Sequence, residues 1–166
     1  MKDETVIAAI FSSDRKEILL VKRRDVPVWV LPGGGIDSEE TIPNACIREA
    51  REETGFQVNI LKKVGEYTPI CKLARFTHLY ECTVTGGTTK LSDECKEVAF
   101  FPLTDLPKEI PPPHDEWILE AHKNEEKLIQ RRLTSVNYLN LLKNFFLHPI
   151  LVIRFILSKI GLTLNT

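Results

Sequence analysis

The stretch that most restricts this chain is a glycine cluster, Gly33-Gly34-Gly35, followed by a helix-forming run whose apolar stripe turns acidic. The run extends from Thr41 to Thr54: Thr41 suits the N-cap, Pro43 the first turn, and Gly55 the stop. At about 100° per residue, Ile42, Ala45 and Cys46 share one stripe, and Glu49, Glu52 and Glu53 continue it. Like charges packed so closely repel, so the fold must compensate them. Arg48 and Arg51 are near in sequence but lie well off the stripe. A hard divalent cation answers the repulsion better, since Mg²⁺ takes one or two carboxylates together with phosphate oxygens and water. The acids also occupy the C-terminal half of the helix, where the dipole favours a cation. Taken alone, the helix has a blander reading, a charged surface helix laced by i,i+4 pairs.

Around this segment the pattern is mixed. Thr5–Ser13 is a short apolar run that reads as a buried strand, and Glu17–Arg24 is a second, close enough to form a hairpin with it. Further strands are expected at Phe56–Tyr67, at Arg75–Thr85 with Gly86-Gly87 as a turn, and at Val98–Phe101. Pro111-Pro112-Pro113 is a stiff break, after which Asp115–Gln130 reads as a surface helix. Residues 135–160 look helical with an interruption at Pro149. Strands with one embedded helix and later helices imply an α+β or layered α/β/α architecture. The expected division is one domain over residues 1–134 and a helical C-terminal extension over 135–166.

Composition narrows the function classes. A net charge of −1 gives no overall pull toward a nucleic acid polymer. Cys46, Cys71, Cys82 and Cys95 form no CxxC pair and no leader is visible, which reads as free thiols in a reducing cytoplasm. The histidines are scattered, which disfavours a zinc site.

Gly34, Glu40, Arg48, Glu49, Glu52, Glu53 and Gly55, with Ala50 and Phe56 at the apolar positions, reproduce the pattern G-x5-E-x7-R-E-U-x-E-E-x-G-U. This resembles the box of the Nudix hydrolase family, and the preceding Trp-x-Leu-Pro-Gly-Gly is similar to that family as well. The likeness covers residues 5–130 in layout, and its specific motif covers 33–56. It implies an α/β/α sandwich with a mixed sheet. It also implies metal-dependent hydrolysis of a phosphoanhydride in a small nucleotide-like substrate. Glu52 and Glu53 would be the principal ligands of Mg²⁺ or Mn²⁺, and Glu49 a ligand or the base that activates water. The Gly34 region would offer a backbone carbonyl. Arg48 would orient the glutamates by salt bridging and Glu40 would hydrogen-bond within the loop, while Gly33–Gly35 let the backbone approach metal and phosphate and Gly55 ends the helix. The chemistry agrees: attack on a phosphoanhydride needs phosphate charge neutralised and a water made nucleophilic.

Outside the box the reading thins. Family members often carry another acid near the end of the sheet, and Glu94 and Glu97 both qualify, with a solvated acid at a strand entrance the alternative. Arg23 and Arg24 end a strand beside the expected cleft, where one can hold a phosphate. Trp29 is a candidate for stacking on a base, with packing into the core the favoured reading. Arg75 and His78 point to opposite faces of their strand, so at most one lines a pocket. Substrate markers are missing. There is no SQPWPFP-like run of the NADH pyrophosphatases. Cys71 stands where many ADP-ribose hydrolases have proline, and Tyr67 falls short of the position used by diadenosine tetraphosphate hydrolases. Nucleoside triphosphates, dinucleoside polyphosphates and nucleotide sugars all stay open, as does a catalytically silent nucleotide sensor.

From Lys127 onward there are six cations and no Asp or Glu, so the net −1 leaves −7 for residues 1–126. The apolar, basic tail is too often interrupted to span a bilayer. It suits packing on the body, a homodimer contact, or a helix lying on an anionic membrane surface, with protein packing preferred. The last of these would place a cytoplasmic enzyme at the membrane periphery, acting on a lipid-linked pyrophosphate.

Overall fold

The computed structural model describes residues 4–159 of the chain. In chain order it contains β1 (Glu4–Phe11), β2 (Glu17–Arg23), β3 (Trp29–Val30), β4 (Gly33–Gly35), α1 (Ile42–Thr54), β5 (Phe56–Pro69) and β6 (Phe76–Gly87). There follow β7 (Cys95–Pro102), α2 (His114–Lys123), β8 (Ile129–Leu133), α3 (Tyr138–Leu147) and α4 (Pro149–Lys159). The strands form a mixed sheet in the order β3-β2-β1-β6-β5-β8, with β4 also on β1 and β7 also on β2. The β1–β6 and β5–β8 pairs are parallel and the others antiparallel.

The unbroken apolar run of β1 follows from burial on both faces. Ile7, Ala9 and Phe11 pack with Leu20, Leu79 and the α2 residues Trp117, Ile118 and Ala121. Val6, Ala8 and Ile10 pack on the other side with Ala45, Cys46 and Ala50 of α1. Helices on both faces of a mixed sheet make the expected α/β/α sandwich, and the C-terminal helices are present.

Two local expectations change. The helix expected over Asp115–Gln130 ends at Lys123, where Asn124 adopts the left-handed conformation (φ 56°), and Ile129–Leu133 becomes a strand beside β5. Propensity favoured helix there, but Ile129, Arg131 and Leu133 turn alternately inward on a sheet edge that needed a partner. Gly86-Gly87 is not a turn but the end of β6, paired with Gln57 and Phe56. A side chain on Gly87 would meet the backbone of Gly55 and Gln57, so glycine permits this close pairing. The tail breaks at Pro149 as expected, and its residues 160–166 lie outside the described region. The four cysteines are free thiols.

Candidate active site

The local sequence sets the site helix firmly. Thr41 caps it, its hydroxyl accepting the Asn44 N–H at 3.4 Å, and Gly55 ends it at φ 80° with its N–H on the Arg51 carbonyl at 2.9 Å. Burial of Ala45, Cys46 and Ala50 against the sheet fixes the rotation of α1. Glu49 and Glu53 then turn inward toward β4, while Glu52 stays largely exposed.

β4 lies antiparallel on β1, with Gly33 opposite Ile7 and Gly34 opposite Val6. A Cβ at Gly33 would strike the Val6 carbonyl, and one at Gly34 would fall on the Glu49 carboxylate. Gly35 departs from the expectation of close backbone approach, because a Cβ there would meet nothing. Its carbonyl instead accepts from Arg48 at 2.9 Å.

Arg48 is the hub. Its guanidinium donates to Glu40 at 2.6 and 3.1 Å, to Glu49 at 2.9 Å and to Glu52 at 3.2 Å, besides the Gly35 carbonyl. Glu40 also accepts the Asp37 N–H at 2.9 Å and so closes the loop that leads into α1. Although Arg48 starts well off the acidic stripe, its long side chain reaches Glu49 and Glu52. The fork geometry of a guanidinium suits this multiple contact.

Charge is unevenly relieved. The Arg48 hydrogen bond holds Glu40 below the usual carboxylate range. Burial raises Glu49 despite Arg48, with Glu52 and Glu94 adding repulsion. Burial also pushes Glu53 up to about 8, against one stabilising hydrogen bond from the Gly33 N–H at 2.9 Å. Repulsion from Glu49 and Glu94 adds to that rise. A buried carboxylate in this condition is short of positive charge. The groups gathered about Arg48 and Gly33 are carboxylate and carbonyl oxygens, the hard donors that suit a divalent cation. Among the described residues no three acid, histidine or cysteine side chains already converge on one point. Arg48 holds Glu49 and Glu52 while Gly33 holds Glu53.

The residues outside the box separate. Glu97 faces Lys22 across the β2–β7 pair and accepts from its ammonium at 2.9 Å, half exposed. Glu94, exposed just before β7, is instead the outer acid whose charge bears on Glu49 and Glu53. Arg23 is gripped by the Asp25 carboxylate at 2.9 and 2.5 Å and feels Glu53 and Glu94. Arg24 turns away from the site: its guanidinium donates to the Asp93 and Cys95 carbonyls, both at 3.0 Å, and so pins the segment carrying Glu94. Trp29 is buried, with Phe101 edge-on at 4.7 Å and the Lys22 ammonium 5.3 Å from its ring centre, so no face is open for a base. His78 is buried and bonded to Glu4 at 2.8 Å.

Sequence reasoning missed two groups. Asp25 supports Arg23, and the only hint was its place two residues on. His114 accepts the Leu31 N–H on Nδ1 at 3.2 Å and so holds the chain entering the glycine cluster. No local pattern announces that contact across the sheet. An open cavity of about 350 Å³ is lined by Glu66, Thr68, Phe76, Gln130, Arg131 and Arg132, none of them in the box.

Known proteins place this geometry. A family model described as the NUDIX domain matches residues 1–121. A protein of Bacillus subtilis (strain 168) named putative 8-oxo-dGTP diphosphatase is 42% identical over 78 residues, 47% of this chain and 52% of that protein. The ADP-ribose pyrophosphatase of Methanocaldococcus jannaschii is 35% identical over 108 residues, 61% of this chain and 63% of the relative. The chain thus spans between half and two-thirds of the length of these two relatives. The crystal structure of an ADP-ribose pyrophosphatase from Streptococcus suis 89-1591 superimposes with a TM-score of 0.66 at 25% identity, covering 80% of this chain and 99% of that one. With its family model matched over residues 1–121 and its carboxylates gathered about Arg48, the chain belongs to the NUDIX domain family.

Proposed function

We propose that this chain hydrolyses a phosphoanhydride bond in a nucleoside triphosphate or a nucleoside diphosphate linked to another group, with Mg²⁺ or Mn²⁺. Residues 1–134 would form the hydrolase unit and 135–166 an appended segment that carries the helices Tyr138–Leu147 and Pro149–Lys159. The observation that carries the reading is the trio Glu49, Glu52 and Glu53, two of them partly buried and held above the usual carboxylate range. Such carboxylates gain most from a divalent cation. The relatives named for 8-oxo-dGTP and for ADP-ribose act on molecules that share a nucleoside diphosphate, the common denominator of the proposed substrates.

Glu49, Glu52 and Glu53 would hold the cation, with the Gly34 carbonyl beside them. When bound, it supplies neutralising charge to the phosphate oxygens and makes water more acidic. Arg48 orients Glu49 and Glu52 from behind. Arg23, half exposed and steered by Asp25, presents its guanidinium to a phosphate. Glu94, exposed and outside the Arg48 clamp, would take a proton from the attacking water. Glu97, engaged with Lys22, takes no part.

The test is release of phosphate and pyrophosphate from a panel that includes ADP-ribose, dGTP, 8-oxo-dGTP and a dinucleoside polyphosphate. Mg²⁺, Mn²⁺ and EDTA arms are run for wild type and for Glu52→Gln with Glu53→Gln. Turnover abolished by EDTA and by the double substitution supports the reading. A folded protein that binds one of these nucleotides and turns over none of the panel overturns it in favour of a sensor.

A further inference from the structure

α4 is anchored to the body along one side, whereas α3 buries none of its residues. On the anchored side Val152 is buried, and Arg154 donates to the carbonyls of Asp25 at 2.7 Å and Arg24 at 3.1 Å. Ser158 donates to the Asp25 carboxylate at 2.6 Å, the same group that grips Arg23. α3 carries large exposed apolar side chains, with Leu139 63% exposed, Phe146 77% and Leu147 71%, and Ile150 in the first turn of α4 is 72% exposed. Contiguous apolar surface of this kind marks an interaction site.

The charge pattern selects the occupant. Lys143 is exposed within the apolar surface, and no Asp or Glu occurs from Lys127 to the end of the chain. A contact between two copies of α3 and α4 would offer Lys143 no Asp or Glu from either helix as a partner. An anionic lipid surface receives the apolar side chains below its headgroups and the cations among them. α3 and α4 run from Tyr138 to Leu147 and from Pro149 to Lys159, and no described helix is long and apolar enough to cross a membrane. They would therefore lie in the plane of the interface.

We propose that α3 and α4 form a docking surface for an anionic phospholipid bilayer, with Leu139, Phe146, Leu147 and Ile150 entering the interface and Lys143 meeting the headgroups. The membrane-bound element is then joined through Ser158 and Asp25 to Arg23, beside the carboxylates of the site. This proposal stands apart from the hydrolase reading, since its test uses no turnover.

The full chain is sedimented with vesicles of phosphatidylcholine, and with vesicles of equimolar phosphatidylcholine and phosphatidylserine, at low and high salt. Light scattering gives the mass of the free protein, and circular dichroism checks folding. Pelleting with the phosphatidylserine vesicles, weakened by salt, is expected. Phe146→Glu with Leu147→Glu should reduce partitioning about tenfold or more, whereas Leu119→Glu, exposed on α2, should leave it unchanged. Absence of phosphatidylserine-dependent pelleting overturns the proposal, as does equal loss in Leu119→Glu. A dimer that Phe146→Glu with Leu147→Glu dissociates, with no vesicle binding, overturns it in favour of a second copy of the chain.

Discussion

The Glu53 carboxylate accepts the backbone N–H of Gly33 at 2.9 Å, joining the last turn of α1 to the glycine strand twenty residues earlier. That bond is the main relief for a buried carboxyl group held at about 8. In Glu53→Gln the amide oxygen can keep the Gly33 bond, and the group can no longer ionise to meet a cation. The variant should melt no lower than wild type without metal, bind Mn²⁺ weakly, and lose roughly 10²–10⁴-fold in kcat. Thermal melts, Mn²⁺ titration and turnover on the best substrate of the panel check the three parts. A variant that keeps wild-type turnover removes Glu53 from the chemistry.

Gly34 presses on Glu49 from the other strand, and a methyl group there would occupy the space of its carboxylate. Gly34→Ala should therefore displace Glu49 while leaving the sandwich folded. A misplacement of that size costs on the order of 10²-fold in rate. Gly35→Ala, where a Cβ meets nothing, is the matched control and should stay within a few-fold of wild type. Equal losses in the two variants would show that the backbone, not the Glu49 contact, is at fault.

Arg48 touches Glu40, Glu49, Glu52 and the Gly35 carbonyl together. Lysine keeps the charge but not the fork, so Arg48→Lys should lower activity about 10–100-fold. The pairs are partly solvated, so the stability change should stay within about 1 kcal/mol. Urea melts alongside initial rates separate the effects, and a melt shifted by several kcal/mol would make Arg48 mainly a structural residue.

His114 is held at about 3 by burial and by the charge of Arg23, while its Nδ1 accepts from Leu31. The unfolded chain protonates this ring near 6.5, whereas the folded chain resists until about 3. Its contribution to stability is therefore complete above pH 6.5 and is lost as pH falls from there toward 3. Asn at this position can still accept from Leu31 but does not titrate. His114→Asn should lose less stability between pH 7 and 5 than wild type, by at most about 1.4 kcal/mol per pH unit. His114→Ala leaves the Leu31 N–H without its acceptor and should cost about 1–3 kcal/mol at pH 7. Urea midpoints at pH 7 and 5 test both, and parallel slopes in wild type and His114→Asn would show that the fold does not hold the ring neutral.

What the linear sequence determined is what local periodicity and spacing encode. Thr41, Pro43 and Gly55 delimit α1, the Ile42–Cys46 stripe orients it, and the run through β1 announces a strand covered on both faces. Those signals depend on neighbours within a turn or a few residues. The spacing from Gly34 to Gly55 likewise named the box acids and their arginine, because all of them sit on one loop and one helix.

Tertiary structure decided which distant groups meet. Strand register set Glu97 against Lys22 and left Glu94 near Glu49 and Glu53, although the two acids are three residues apart. Packing under Phe101 buried Trp29 and removed it as a stacking platform. The free edge of β5 drew Ile129–Leu133 out of a helix into a strand. The docking of Arg154 and Ser158 on Asp25 spans about 130 residues of chain and leaves no trace in local pattern. Pairing across a sheet depends on register and on the surface left uncovered, and both exist only once the chain has folded.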